Sequence, residues 1–155
     1  MASTLYLERA ENELELAKVI FRLTDDKRIQ EEVFHLRQPL TFFSAVIAHS
    51  YYSILYAAKA YSLRKGVRTA PPEEHRKTYE AFRSWVEDGS LDVELLRMYE
   101  RVMVRADTLL EIFSAERKKR GEYTYQRMPQ ANRLPAEESL THARTFFKHI
   151  FNLVP

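Results

Sequence analysis

The sequence has no cysteine in 155 residues. That excludes a disulfide scaffold, a thiolate nucleophile and any Cys-ligated zinc or iron-sulfur site, and it fits a reducing cytoplasm. Glycine occurs three times, at Gly66, Gly89 and Gly121, each at the end of a predicted helix, so no glycine-rich loop is available to cradle a phosphate. The five histidines show no i, i+3 or i, i+4 spacing. His142 and His149, seven apart, can share a helix face but lack an adjacent carboxylate pair, so neither a metal nor a cofactor is expected. The net charge of +2 is too small to mark a nucleic-acid binder by itself. No strand period, internal repeat or low-complexity segment is present. The amino-terminal stretch MASTLYLERAENELE carries acidic residues where a secretory signal needs a basic region and then an apolar one, so the expected location is cytoplasmic.

Charge is also missing from Gln38 through Ala58, inside the stretch Pro39 to Lys65 that organises the chain. Apolar, small and aromatic residues occupy every side of its helical wheel, which predicts a helix buried on most sides. A membrane span is the rival reading. Thr41, Ser44, Ser50, Ser53, His49, Tyr51, Tyr52 and Tyr56 are too costly to insert for the little Leu and Ile that accompanies them, so a core helix is expected. The other periodic segments each carry one apolar stripe. The length suits one domain, residues 1–155, and the fold class expected is all-α: an up-down bundle of about five helices around a buried central one.

Taken in order, Tyr6, Ala10, Leu14, Ala17 and Phe21 predict an amphipathic helix over 4–23, followed by a polar connection to Gln38 with room for a short helical turn. Pro39 is expected to open the central helix, where its missing N–H costs nothing. Pro72-Glu73-Glu74 predicts the next start, with Tyr79, Phe82 and Val86 as the apolar face and Asp88-Gly89 as the stop. Ser90 is the expected N-cap of a long helix carrying Leu95, Met98, Val102, Ala106, Leu109 and Phe113 almost to the run Arg117–Arg120. The stretch from Gly121 to Leu134 has neither period and is long for a bundle connection, which marks it as functional or mobile. Pro135 opens the last helix, with Leu140, Ala143, Phe147 and Ile150 inward.

Charge is unevenly spread. Residues 1–32 hold five Lys/Arg against eight Asp/Glu, whereas 117–155 hold eight against three. The candidate for chemistry is the basic end of the long helix together with the start of the loop after it: Glu116, Arg117, Lys118, Lys119, Arg120, Gly121, Glu122, Tyr123, Thr124, Tyr125. Its plain reading is a solvated cap in which four cations complement the helix dipole. Its functional reading is a phosphate-holding cluster, Arg117, Lys118, Lys119 and Arg120 with Arg127 beyond, in which Tyr123 and Tyr125 stack on bases. A second row, Arg97, Arg101 and Arg105, has Glu94, Glu100 and Asp107 near enough to pair with it. His49 alone reads as a hydrogen-bonded core residue.

With these residues in view, the whole chain resembles the HEPN family of small all-helical proteins. The likeness rests on His49-Ser50-Tyr51-Tyr52, Ala57-Ala58 and Gly66 in the central helix, a shorter helix and then a long one, Arg117 to Tyr123 with its Arg-Gly-Glu-Tyr ending, and Ala143 with Phe146-Phe147 in the last. The resemblance implies a homodimer whose basic helix ends line one cleft. It also implies RNA or nucleotide as ligand and a toxin-antitoxin or defence setting beside a minimal nucleotidyltransferase antitoxin. Site residues carried over are Arg117, Arg120, Tyr123 and Tyr125, with His49, Tyr52 and Glu122 in support.

The family's active motif is an Arg with a His four to six residues beyond it. Here Arg117 reaches Tyr123 after five and Arg120 reaches Tyr125 after four. A phenol with a pKa near 10 is a poor base for attack by an RNA 2′-hydroxyl, although an arginine still stabilises the charged transition state. Three readings stand at this point: an RNA- or nucleotide-binding dimer; a metal-independent endoribonuclease using a histidine from elsewhere, His49 or His142; and a helical interaction module without nucleic-acid activity.

Overall fold

A computed structural model describes residues 2–37, 39–110 and 132–154. Among the described residues there are five α-helices and no strand: α1 Ala2–Asp25, α2 Phe43–Arg64, α3 Glu74–Glu87, α4 Val93–Leu110 and α5 Arg133–Leu153. The expected all-helical bundle around a buried central helix is what forms. In α2, residues from Val46 to Ser62 are buried on successive sides of the wheel, including Ile47, Tyr51, Ile54, Leu55, Ala58 and Tyr61. Small side chains let α1 come close to it. Ala10 and Ala17 are fully buried, and Ser53 reaches across to donate to the Ala10 carbonyl at 2.8 Å. No helix among the described residues is long and apolar enough to cross a membrane.

The connection between α1 and α2 corrects one expectation. Pro39 does not open the central helix; α2 starts at Phe43. The cause is Gln30, which lies in a π-helical turn, Ile29–Val33, and is 1 % exposed. Its amide donates to the carbonyls of Leu23 and Leu40, both at 2.9 Å, and accepts from the Leu40 N–H at 2.8 Å. Thr24 Oγ1 accepts from the Phe42 N–H at 3.1 Å. The backbone of Leu40 and Phe42 is thereby committed to α1 and its exit, and the helix begins only beyond it.

Two other starts shift for local reasons. Helix α3 opens at Glu74, because Glu73 takes a left-handed conformation with φ of 58° that a helix cannot include. Helix α4 opens at Val93, capped by Asp92, whose Oδ1 accepts from the Glu94 N–H at 2.8 Å, so Asp92 and not Ser90 is the cap.

Three of the outer helices meet over an aromatic centre. Phe82 of α3, Tyr99 of α4 and Phe146 of α5 pack with ring centroids 5.2–5.8 Å apart, and all three are fully buried. Burial holds the Tyr99 phenol far above its usual range. Its hydroxyl has no hydrogen-bond partner among the described residues. An unpaired buried hydroxyl is a cost without a return, so Tyr99→Phe, which keeps every ring contact, is expected to stabilise the protein by about 1 kcal/mol. A rise in the urea midpoint with unchanged slope checks it.

Candidate nucleic-acid interface

Helix α4 buries Leu95, Tyr99, Val102 and Ala106, a stripe at steps of three and four that turns the row Arg97, Arg101 and Arg105 toward the flank. Helix α5 buries Ala136, Ser139, Leu140, Ala143, Phe146 and Ile150. The two run antiparallel, since Arg105 meets Glu138 while Tyr99 meets Phe146. Arg105 is the anchor of this pair. Its Nη2 donates to Glu138 Oε2 at 2.6 Å, and its Nη1 donates to the Pro135 carbonyl at 3.2 Å and to Ser139 Oγ at 3.3 Å. The Arg105 hydrogen bond, helped by the charges of Arg105, His142 and Arg101, holds the Glu138 carboxyl below its usual range.

Arg101 lies between these two crossings on α4, and its charge acts on His142 of α5. Arg97 is already paired with Glu94 and Arg105 with Glu138. Arg101, which is exposed, makes no ion pair among the described residues. The His142 ring is half-buried. Burial first, then the charges of Arg101 and Arg105, push its pKa down, and Glu138 opposes them in part. At neutral pH the imidazole is therefore neutral, within the influence of two guanidinium groups.

The residues singled out from the sequence divide into two sets. Arg117, Lys118, Lys119, Arg120, Glu122, Tyr123, Tyr125 and Arg127 lie outside the described residues. Their segment joins Leu110 to Asn132, so both of its anchors sit at the Arg105–Glu138 end of the α4–α5 pair. The two supporting residues His49 and Tyr52 are placed. His49 Nδ1 lies 2.5 Å from Glu13 Oε2, and the Tyr52 ring packs against Tyr51, Tyr56 and His75 with centroids 5.7–6.3 Å apart. His49, Tyr52 and Tyr56 lie along one face of α2 at the seam with α1, where Arg9 donates to the Tyr56 hydroxyl at 2.8 Å. His49 is thus a half-buried residue hydrogen-bonded to Glu13 at a helix seam.

A second polar joint is one that sequence reasoning misses. The Tyr51 hydroxyl and His75 Nδ1 are 2.7 Å apart. Burial, with Tyr52 and Asp107 nearby, keeps the phenol protonated, while burial and the Lys59 charge push the imidazole pKa down. The phenol and Nδ1 share one hydrogen bond, whose direction follows the tautomer of the neutral ring. Beside this pair Lys59, the only charge within the buried length of α2, meets Glu74 and lies over the Tyr6 ring at 4.8 Å. A signal existed in the sequence: a lone lysine between Ala58 and Ala60 demands a carboxylate partner. Among the described residues no group of three or more His, Asp or Glu could hold a metal ion.

Among the described residues the fold is an all-helical bundle whose last two helices are tied by Arg105 and Glu138. No family model, curated protein or solved structure matches the chain.

Proposed function

We propose that this protein is a HEPN-like RNA- or nucleotide-binding protein that works as a homodimer in a toxin-antitoxin or defence module, beside a minimal nucleotidyltransferase. One observation carries the reading: four successive cations, Arg117 to Arg120, have Tyr123 and Tyr125 within the next five residues. Guanidinium and ammonium groups neutralise phosphates, and aromatic rings stack on unpaired bases whatever their sequence. Arg101, exposed and without an ion pair among the described residues, lies on the helix that leads to that segment and supports it.

A second reading, metal-independent endoribonuclease, is favoured by the neutral His142 beside Arg101 and Arg105. An imidazole can serve as acid or base at a far lower pH than the phenols of Tyr123 and Tyr125. Incubation of the purified protein with mixed single-stranded RNA in chelator, read for both retention on a filter and cleavage, separates the two. Retention without cleavage is expected from the binding protein. Cleavage leaving cyclic phosphate ends moves the assignment to the nuclease, and neither signal leaves the interaction module.

A further inference from the structure

Helix α3 buries only Thr78 and Phe82, so its first turn depends on polar contacts more than on apolar burial. Two consecutive residues supply them. Glu74 meets Lys59 of α2. The His75 ring lies nearly parallel to that of Tyr51, 5.6 Å between centroids, with Nδ1 2.7 Å from the Tyr51 hydroxyl and the Tyr52 ring 6.2 Å away. Just before them Glu73 holds a left-handed φ of 58°, a conformation that costs energy for any residue with a Cβ and so biases this end toward release.

We infer that Glu74 and His75 form a pH-sensitive latch, which docks the first turn of α3 on α2 at neutral pH and lets it go in acid, uncovering Tyr51 and Lys59. The chemistry follows from what the ring touches. A charged imidazole carries a proton on both nitrogens, so Nδ1 can no longer accept and the proton of the buried phenol loses that partner. The groups around the ring are Tyr51, Tyr52 and Lys59 of α2 and Glu74 of its own helix, with Asp107 of α4 acting on the Tyr51 phenol. Lys59 is the charge that acts on the imidazole, and it adds to burial in opposing protonation. The docked ring therefore titrates below its usual value of about 6.5. Docking is at full strength above that value and weakens as pH falls from there toward the depressed one. Release stops within the helix, because Tyr79 donates to Glu100 of α4 at 2.8 Å and Phe82 is fixed in the aromatic centre.

Hydroxyl-radical labelling of the whole protein, read residue by residue by mass spectrometry, tests the latch. Tyr51 and Tyr99 are both fully buried, but only Tyr51 lies under His75. Between about pH 7 and about pH 5 the labelling of Tyr51 is expected to rise several-fold while Tyr99 stays protected. In His75→Gln the pH dependence disappears, whether the turn stays docked or remains open at both pH values. Lys59→Met, which removes the opposing charge and leaves Glu74 to attract the imidazolium, weakens the dependence without abolishing docking. Equal protection of Tyr51 at both pH values overturns the latch. So does a parallel rise at Tyr99, which marks unfolding of the whole bundle, or a rise that persists in His75→Gln.

Discussion

Phe82→Ala is expected to cost about 3–5 kcal/mol, the range for deleting a buried phenyl ring whose cavity cannot fully collapse. Phe82 has no exposed surface and touches rings on three other helices: Tyr61 of α2 at 6.5 Å, Tyr99 of α4 at 5.5 Å and Phe146 of α5 at 5.2 Å between centroids. On α3 the only other buried side chain is Thr78. Losing the ring therefore removes the main apolar tie of that helix along with a wall of the aromatic centre. Against a total stability of about 5–15 kcal/mol, that is a large share. Urea unfolding measures it, and a loss below about 1 kcal/mol would mean that α3 docks without this ring. Tyr99→Phe, at the neighbouring ring, shifts the midpoint in the opposite direction, so the pair separates packing from hydroxyl burial.

Glu74→Ala is expected to cost about 3 kcal/mol, while Lys59→Met costs less than about 1 kcal/mol, because removing one partner strands a buried charge and removing the charge does not. The Lys59 side chain is 6 % exposed, whereas that of Glu74 is 28 % exposed. The lysine stem already runs through apolar surroundings that a methionine can occupy. In Glu74→Ala the ammonium keeps only the face of Tyr6, which offsets a minor part of its desolvation. The double variant should recover most of the loss of Glu74→Ala, and a thermodynamic cycle on the four proteins reads this directly. Equal losses from both single changes would show that the pair stabilises the fold as a pair.

How far the fold could be read in advance depended on which forces were local. The buried centre was legible because an uncharged run with apolar residues on every side leaves a helix no face for water. The stripes of α1, α3, α4 and α5 were legible by the same reasoning, and Tyr79, Phe82 and Val86 pack inward as their spacing implies. The start of α2 was not, because Pro39 is a good first helical residue only where nothing else claims the backbone after it. Here Gln30, nine residues earlier, claims Leu40 on both its N–H and its carbonyl. A side chain that binds backbone across a turn leaves no periodic trace.

The site shows the same division. The cations of α4 and the histidines of α5 were visible one by one, but the register of α4 against α5 is fixed by the Arg105–Glu138 and Tyr99–Phe146 crossings, which are tertiary. By spacing alone, pairing within α4 could absorb the whole arginine row. It absorbs Arg97 through Glu94, while Glu100 accepts from the Tyr79 hydroxyl at 2.8 Å. Lys59 could be flagged from its apolar neighbours, yet its partner Glu74 lies across a turn containing Gly66 and two prolines, beyond the reach of helical spacing.

The most direct test of the central claim is the salt dependence of RNA retention by wild-type protein and by the Arg117→Ala/Arg120→Ala double variant. Each phosphate contact contributes a slope of about 0.7 in log affinity against log salt for a single strand. If Arg117 and Arg120 hold phosphates, the double variant binds more weakly and its slope is shallower by about 1.4, the sum of two such contacts. Unchanged affinity and an unchanged slope would contradict the claim and remove the run Arg117–Arg120 from the interface.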